Sequence, residues 1–253
     1  MKNKCRVRLR SIPDFLHIRR QSLMKQVVPV CVVLSLFCVG SDKYTPTSDY
    51  TVRQIEGWKV LVNNELLSDH SDLAEEVLKL LEHQLYQITR VVSDEVLKEL
   101  RRISIWVEFD APRHRCMCYH PNKQWLIDND FNPDKQRSVE IANAENFLKW
   151  TIGQPWMVMH ELAHAYHHCV LGHDNTDIKE AYEKAVKGKG YESVLHINGK
   201  LRRAYALNND KEYFAEATEA FLGTNDFYPF VRSELQEHDP TMYQLLKKLW
   251  KEE

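Results

Sequence analysis

Glycine and proline are scarce in this chain, 8 and 9 among 253 residues, and no low-complexity tract or internal repeat is visible. These absences argue against a solenoid and against a disordered chain, since the first shows a period and the second a compositional bias. Charge of one sign is also missing. Lys+Arg 34 stand against Asp+Glu 36, a formal net charge of -2, which gives no footing for nucleic acid as a partner. The apolar run VVPVCVVLSLFCV, Val27 to Val39, has thirteen residues, short of the ~20 that span a bilayer comfortably. Cysteine is thin as well. Cys5, Cys31 and Cys38 fall in or before that run, leaving Cys116, Cys118 and Cys169. No second pair accompanies Cys116-x-Cys118, so a zinc site built on cysteine pairs has no basis. One bridge from Cys169 to either of the other two, or three free thiols, are the alternatives.

What is present is an ordinary globular composition, 43% hydrophobic and 28% charged, on a chain long enough for a sizeable core. The N-terminus departs from it. Residues 1–25 carry eight Lys or Arg and one acid, Asp14, and the thirteen-residue run follows. That order is the layout of a signal peptide, with Val39-Gly40-Ser41 offering small residues for cleavage. Residues 1–41 are therefore expected to be a signal peptide or N-terminal anchor, with Met24 as an alternative true start. Residues 42–253 are expected to form a single domain. Its place would be secreted or periplasmic, membrane-anchored if the leader is retained, with no membrane contact beyond that segment.

Along the domain, YTVRQIEGWKVLV (Tyr50–Val62) alternates like one or two strands, with Glu56-Gly57 as a turn or bulge. Leu73, Val77, Leu80, Leu81, Leu85 and Ile88 recur at helical spacing from a Ser or Asp cap at Ser71–Asp72 to about Val92. Ser93–Arg102 reads as a short helix and Ile103–Phe109 as a strand. Pro112–Pro121 reads as a loop, and Ser138–Ala144 as a short strand at a sheet edge. Helices follow over Pro155–Gly172, Asp177–Lys187, Asp210–Leu222 and Asp239–Lys251. Strands and a helix first, helices after, indicate one α+β domain.

The chemistry is concentrated in MHELAHAYHH, Met159–His168. His160-Glu161-x-x-His164 is an H-E-x-x-H motif. Residues four apart share a helix face, so both imidazoles reach one metal ion, and Glu161 stands beside it as a base. Zinc lowers the pKa of a coordinated water to ~7, which makes hydroxide available at neutral pH. By composition alone such a motif arises by chance in about 5% of chains like this one, so its context has to decide. His167 and His168 read as outer members of the site or solvent-facing residues, and Cys169, on the opposite face, as core.

A catalytic zinc needs a third protein ligand. His173, Asp174, Glu180 and Glu183 are available nearby. In YALNNDKEYFAEATEAF, Tyr205–Phe221, Glu212, Glu216 and Glu219 fall at i, i+4 and i+7 on one helix face, between Tyr213, Phe214, Ala217, Ala220 and Phe221. A helix so apolar is mostly buried, and a buried carboxylate stripe needs cations or donors.

H-E-x-x-H followed by Y-x-x-x-N-x-x-E-[YF]-F-A-E resembles the catalytic domain of the anthrax lethal factor type of zinc metallopeptidase. The matching positions are His160, Glu161 and His164, then Tyr205, Asn209, Glu212, Phe214, Ala215 and Glu216. The resemblance covers mainly residues 155–222. It implies one Zn2+ held by His160, His164 and Glu212, Glu161 as general base, and Tyr205 as donor to the developing oxyanion. Glu216 would be an acid that orients a ligand histidine. It further implies a zincin-like fold: a small mixed sheet with a backing helix and an active-site helix, then a mainly helical C-terminal part. Ser138–Ala144 is the candidate edge strand for aligning an extended peptide. Nothing resembles the toxin's carrier-binding domain. The expected function is an exported zinc metalloendopeptidase acting on a peptide or protein substrate. The alternative is a catalytically inactive zinc-binding module that binds a protein partner.

Overall fold

The computed structural model describes residues 44–111 and 116–252. The expected leader at 1–41, with its cleavage point, lies outside the described residues, as does His114.

A hairpin opens the domain. β1 (Tyr50–Ile55) and β2 (Trp58–Asn63) pair antiparallel, with Ile55 opposite Trp58. The two turn residues, Glu56 and Gly57, both have positive φ, 49° and 89°, the conformation whose twist matches the strands it joins. Asn63 then caps α1 (Asn64–Asp69) by accepting from Glu65 N at 2.8 Å. α2 (Ser71–Thr89) follows at once, so its cap position is His70 rather than the expected Ser71 or Asp72. Val77, Leu81, Leu85 and Ile88 are its buried stripe. α3 (Asp94–Leu100) is capped by Ser93 and leads into β3 (Ile105–Val107).

β4 (Met117–Tyr119) occupies part of the stretch read as a loop. α4 (Lys123–Asp128), β5 (Val139–Ile141) and α5 (Ala144–Trp150) complete the first half. The sheet order is β1-β2-β3-β5-β4. β2, β3 and β5 run parallel, and β4 closes the sheet antiparallel to β5. Ser138–Ala144 is therefore not an edge. Val139, Glu140 and Ile141 are all buried between two neighbours, and the edge is β4. Three residues are too few to show a period of two, which is why β4 was hidden in a loop-like sequence.

Alternation along the strands separates two faces. Val60, Val62, Ile105, Val107, Val139 and Ile141 share the large core with α2, with Met159 and Leu162, and with Phe214. The opposite face carries the cross-strand row Leu61, Trp106, Glu140 and Cys118. There Tyr50, Leu61 and Trp106 form a small separate cluster beside a buried ion network. Lys135 Nζ donates to both Glu108 and Glu140, Tyr50 donates to Glu108, and His120 Nε2 lies 2.5 Å from Glu140.

The second half is helical apart from a two-stranded ribbon. It comprises α6 (Met157–Tyr166), α7 (Thr176–Gly188), β6 (Val194–Leu195), β7 (Leu201–Arg202), α8 (Asp210–Leu222), α9 (Arg232–His238) and α10 (Pro240–Leu249). The expected helical run does end at Gly172, but over His167–Gly172 it widens into a π-helix. Cys169 lies on this turn and is exposed, not packed in the core as expected. Trp250 anchors the helices, its ring stacked on Tyr166 at 4.5 Å and on Phe214 at 5.8 Å, with Nε1 donating to Thr218. Gly223 ends α8, and an added Cβ there would lie 1.9 Å from the Trp156 ring at the start of α6. The helix that carries H-E-x-x-H and the one that carries the acidic stripe are thus locked together. No described helix is long and apolar enough to cross a membrane.

Candidate metal centre and cleft

α6 is nearly all apolar on its buried side, with Met157, Val158, Met159, Leu162, Ala163, Ala165 and Tyr166 packed in the core. What remains on its open side is His160, Glu161 and His164, each partly exposed. α8 crosses this face. Asn209 caps it, accepting from Lys211 N at 2.9 Å and Glu212 N at 3.0 Å. The Asn of the resemblance motif is thus a helix cap that fixes where Glu212 emerges.

Three donor atoms meet between the helices. His160 Nε2 lies 3.1 Å from His164 Nε2 and 3.1 Å from Glu212 Oε2, and His164 Nε2 lies 3.3 Å from the same oxygen. Zinc–nitrogen and zinc–oxygen bonds of ~2.0–2.1 Å at tetrahedral angles place donors about 3.3 Å apart. The triangle is therefore the size that one zinc ion requires. Burial opposes a charged His160, yet the Glu212 and Glu219 carboxylates outweigh it and raise its pKa well above the usual value. Burial likewise opposes a charged Glu212, and the two imidazoles outweigh it, holding its carboxyl well below its ordinary range.

The outer contact of His160 comes from Glu219, whose Oε1 lies 2.7 Å from Nδ1. The resemblance put Glu216 in such a role. Glu216 is buried nearby, with Oε2 lacking a hydrogen-bond partner among the described residues. Burial raises the pKa of Glu216 and of Glu219, and likewise that of Asp226. Asp226 was not singled out in the sequence. It is recognisable only from the fold, which returns the segment after α8 to the site.

Two lobes of one cleft meet at the triangle. The larger, about 480 Å³, is lined among others by Cys118, Tyr119, His164, His168, Lys211 and Glu212. The smaller, about 240 Å³, is lined by Trp150, Gln154, Met157, Glu216, Glu219, Asp226 and Phe227. Met117, His160, Glu161 and Tyr205 border both. Tyr205 sits in a 3-10 turn, Tyr205–Asn208, just before α8, its ring centre 6.5 Å from that of His160. Burial and the Glu212 charge raise its pKa, so the phenol keeps its proton.

Other expected residues stand apart from the triangle. His168 Nδ1 lies 2.7 Å from the Tyr119 hydroxyl. His167 is only 1% exposed, and neither ring nitrogen has a partner among the described residues. Cys116, Cys118 and Cys169 are free. Cys118, His120 and Glu140 also bring metal-type donors within 4.8 Å of one another on the far face of the sheet, but Glu140 there is already bound to Lys135 and His120.

No protein-family model matches the chain, and no curated protein matches it. Among solved structures it is similar to the PRO-PRO endopeptidase (PPEP-2) from Paenibacillus alvei. The two are 21% identical, with a TM-score of 0.38, and the match covers 71% of this chain and 90% of that one.

Proposed function

We propose that the protein is an exported zinc metalloendopeptidase. The observation that carries this reading is the triangle of His160 Nε2, His164 Nε2 and Glu212 Oε2, with edges of 3.1, 3.1 and 3.3 Å, opening on a cleft that Glu161 and Tyr205 also line. His160, His164 and Glu212 would hold one Zn2+, which when bound supplies Lewis acidity and a coordinated water of lowered pKa.

The chain's own groups supply the rest. Glu161, on the same helix as both histidines, is the base that takes the proton from the attacking water and later delivers it to the leaving amine. The protonated Tyr205 hydroxyl donates to the oxyanion as the carbonyl becomes tetrahedral. Glu219 accepts from His160 Nδ1, which directs the Nε2 lone pair into the triangle. β4, the sheet edge that borders the cleft, is where an extended peptide would join as a further strand. Pure metal storage would need neither Glu161 nor Tyr205.

The test uses the full chain. One equivalent of zinc, lost on Glu212→Ala, supports the centre, and a folded protein that binds no metal overturns it. A mixed peptide library should be cut by the parent and not by Glu161→Gln. Equal cutting by both, or cutting by neither, overturns the peptidase reading.

A further inference from the structure

The smaller lobe of the cleft has an unusual lining. Glu216, Glu219 and Asp226 are 4%, 3% and 4% exposed, so three carboxyl groups are buried in its lining. The donors within reach of them are few. His160 Nδ1 serves Glu219 at 2.7 Å, and His196 Nε2 stands 3.4 Å from Asp226. Glu216 Oε2 is buried with no hydrogen-bond partner among the described residues; Asn225 hydrogen-bonds to the same side chain, and a His160 nitrogen lies within 4.8 Å of it. Buried carboxylate oxygens left in this state are costly, and a cation or strong donor relieves the cost. Trp150, Phe227, Met117 and Met157 line the same lobe. Aromatic faces and thioethers beside acidic groups are the surroundings that a long basic side chain selects, apolar along its stem and charged at its tip.

The course of β4 says which substrate residue would enter. The strand advances from Met117, which borders both lobes, to Tyr119, which borders the larger lobe only. A peptide added antiparallel, the slightly stronger pairing, runs from the larger lobe towards the smaller. Its residue just C-terminal to the scissile bond then faces the smaller lobe.

We infer that the lobe lined by Glu216, Glu219 and Asp226 is a specificity subsite for a basic side chain, arginine above lysine, on the C-terminal side of the cleaved bond. This rests on the peptidase reading above. Arginine is favoured because its planar fork can meet two carboxylates at once, whereas an ammonium acts as a single point charge.

Two arms test it on the zinc-loaded full chain. In the first, a mixed peptide library is cut and the first residue after each cut is read. Arginine and lysine should be enriched there. An arginine peptide should exceed its citrulline twin, which keeps the shape and loses the charge, by about 10- to 100-fold in kcat/KM. Glu216→Gln and Asp226→Asn should each shrink that ratio. In the second arm, Glu161→Gln is titrated with Nα-acetyl-arginine amide and Nα-acetyl-citrulline amide and followed by NMR. The arginine amide should bind about tenfold more tightly or better. Cutting without enrichment, or equal binding of the two amides, overturns the inference and leaves the peptidase reading intact. A second equivalent of zinc that disappears in Glu216→Gln also overturns it, since the lobe would then be a metal site. Arginine-selective binding without any cutting sinks the peptidase reading, and with it the assignment to a cleaved bond, and leaves a pocket for a basic side chain alone.

Discussion

Glu219 Oε1 lies 2.7 Å from His160 Nδ1, on the side of the imidazole away from Glu212. Seven positions, close to two helical turns, separate Glu212 from Glu219 on α8, so one helix delivers a carboxylate to each nitrogen of the same ring. A carboxylate behind a ligand histidine fixes its tautomer and raises its basicity. Removing it with Glu219→Ala should weaken zinc binding about 10- to 100-fold, and Glu219→Gln, which can still accept, should weaken it less. Metal competition with a chromophoric chelator measures both. If Glu216→Ala costs as much affinity as Glu219→Ala, the assignment of the outer contact to Glu219 fails.

Asn209 makes a second prediction because its side chain holds the first turn of α8, where Glu212 sits. Asn209→Ala should cost about 0.5–2 kcal/mol of stability through loss of the cap. It should also lower zinc affinity, because Glu212 N is one of the two groups that Asn209 holds. Asn209→Asp restores the acceptor and should recover both. Urea unfolding with and without metal separates the two effects, and a stability loss with unchanged zinc affinity would show that Glu212 is positioned by packing alone.

How far the sequence foretold this arrangement depends on element length. α2 and α8 run for 19 and 13 residues, enough turns for a 3.6-residue period to show, and the sequence places both within a few residues. His160 and His164 lie on α6, of 10 residues, and Glu212 on α8, so their meeting follows once these two helices cross. β4 and β5 have three residues each, and no period can be read in three positions. Their order in the sheet depends on long-range pairing, which is why β5 was mistaken for the edge. Glu216 and Glu219 both face inward on α8, and only the packing angle of α6 decides which of them reaches His160. Asp226 lies beyond the helix in a segment with no periodic signal at all.

The ion network on the far face of the sheet carries a stability prediction. Lys135 is buried between Glu108 and Glu140, and His120 meets Glu140 from the other side. Lys135→Met leaves two buried carboxylates facing each other and should cost about 3–5 kcal/mol. The same network sets an acid limb. Burial alone would push the Glu140 carboxyl up, but His120 and Lys135 outweigh it and hold it at about 2. A folded value below the unfolded value of ~4.3 gives stability that is complete above the unfolded value and drains as pH falls towards about 2. Urea midpoints measured from pH 5 to 2 should therefore fall more steeply for the parent than for Glu140→Gln. Parallel curves would remove Glu140 from the account of acid unfolding.

His167, at the C-terminal end of α6, adds to the same acid limb from a buried imidazole rather than a buried carboxylate. It is packed against Phe214, ring centres 5.2 Å apart, with both nitrogens unpartnered among the described residues. Burial outweighs the attraction of Asp210 and lowers its pKa to about 4. The imidazole is therefore folded in neutral form, while the unfolded chain takes up a proton near the ordinary histidine value of ~6.5. Stability from this group is full above ~6.5 and is lost progressively as pH falls through that value towards about 4. An apolar side chain of similar size has no proton to take up and leaves no unpaired nitrogen. His167→Leu should thus raise the urea midpoint relative to the parent, and the gap should widen between pH 8 and pH 5. A gap that is constant with pH would mean that the His167 nitrogens are satisfied in solution, and a lower midpoint at both values would mean that the imidazole fills a shape leucine cannot.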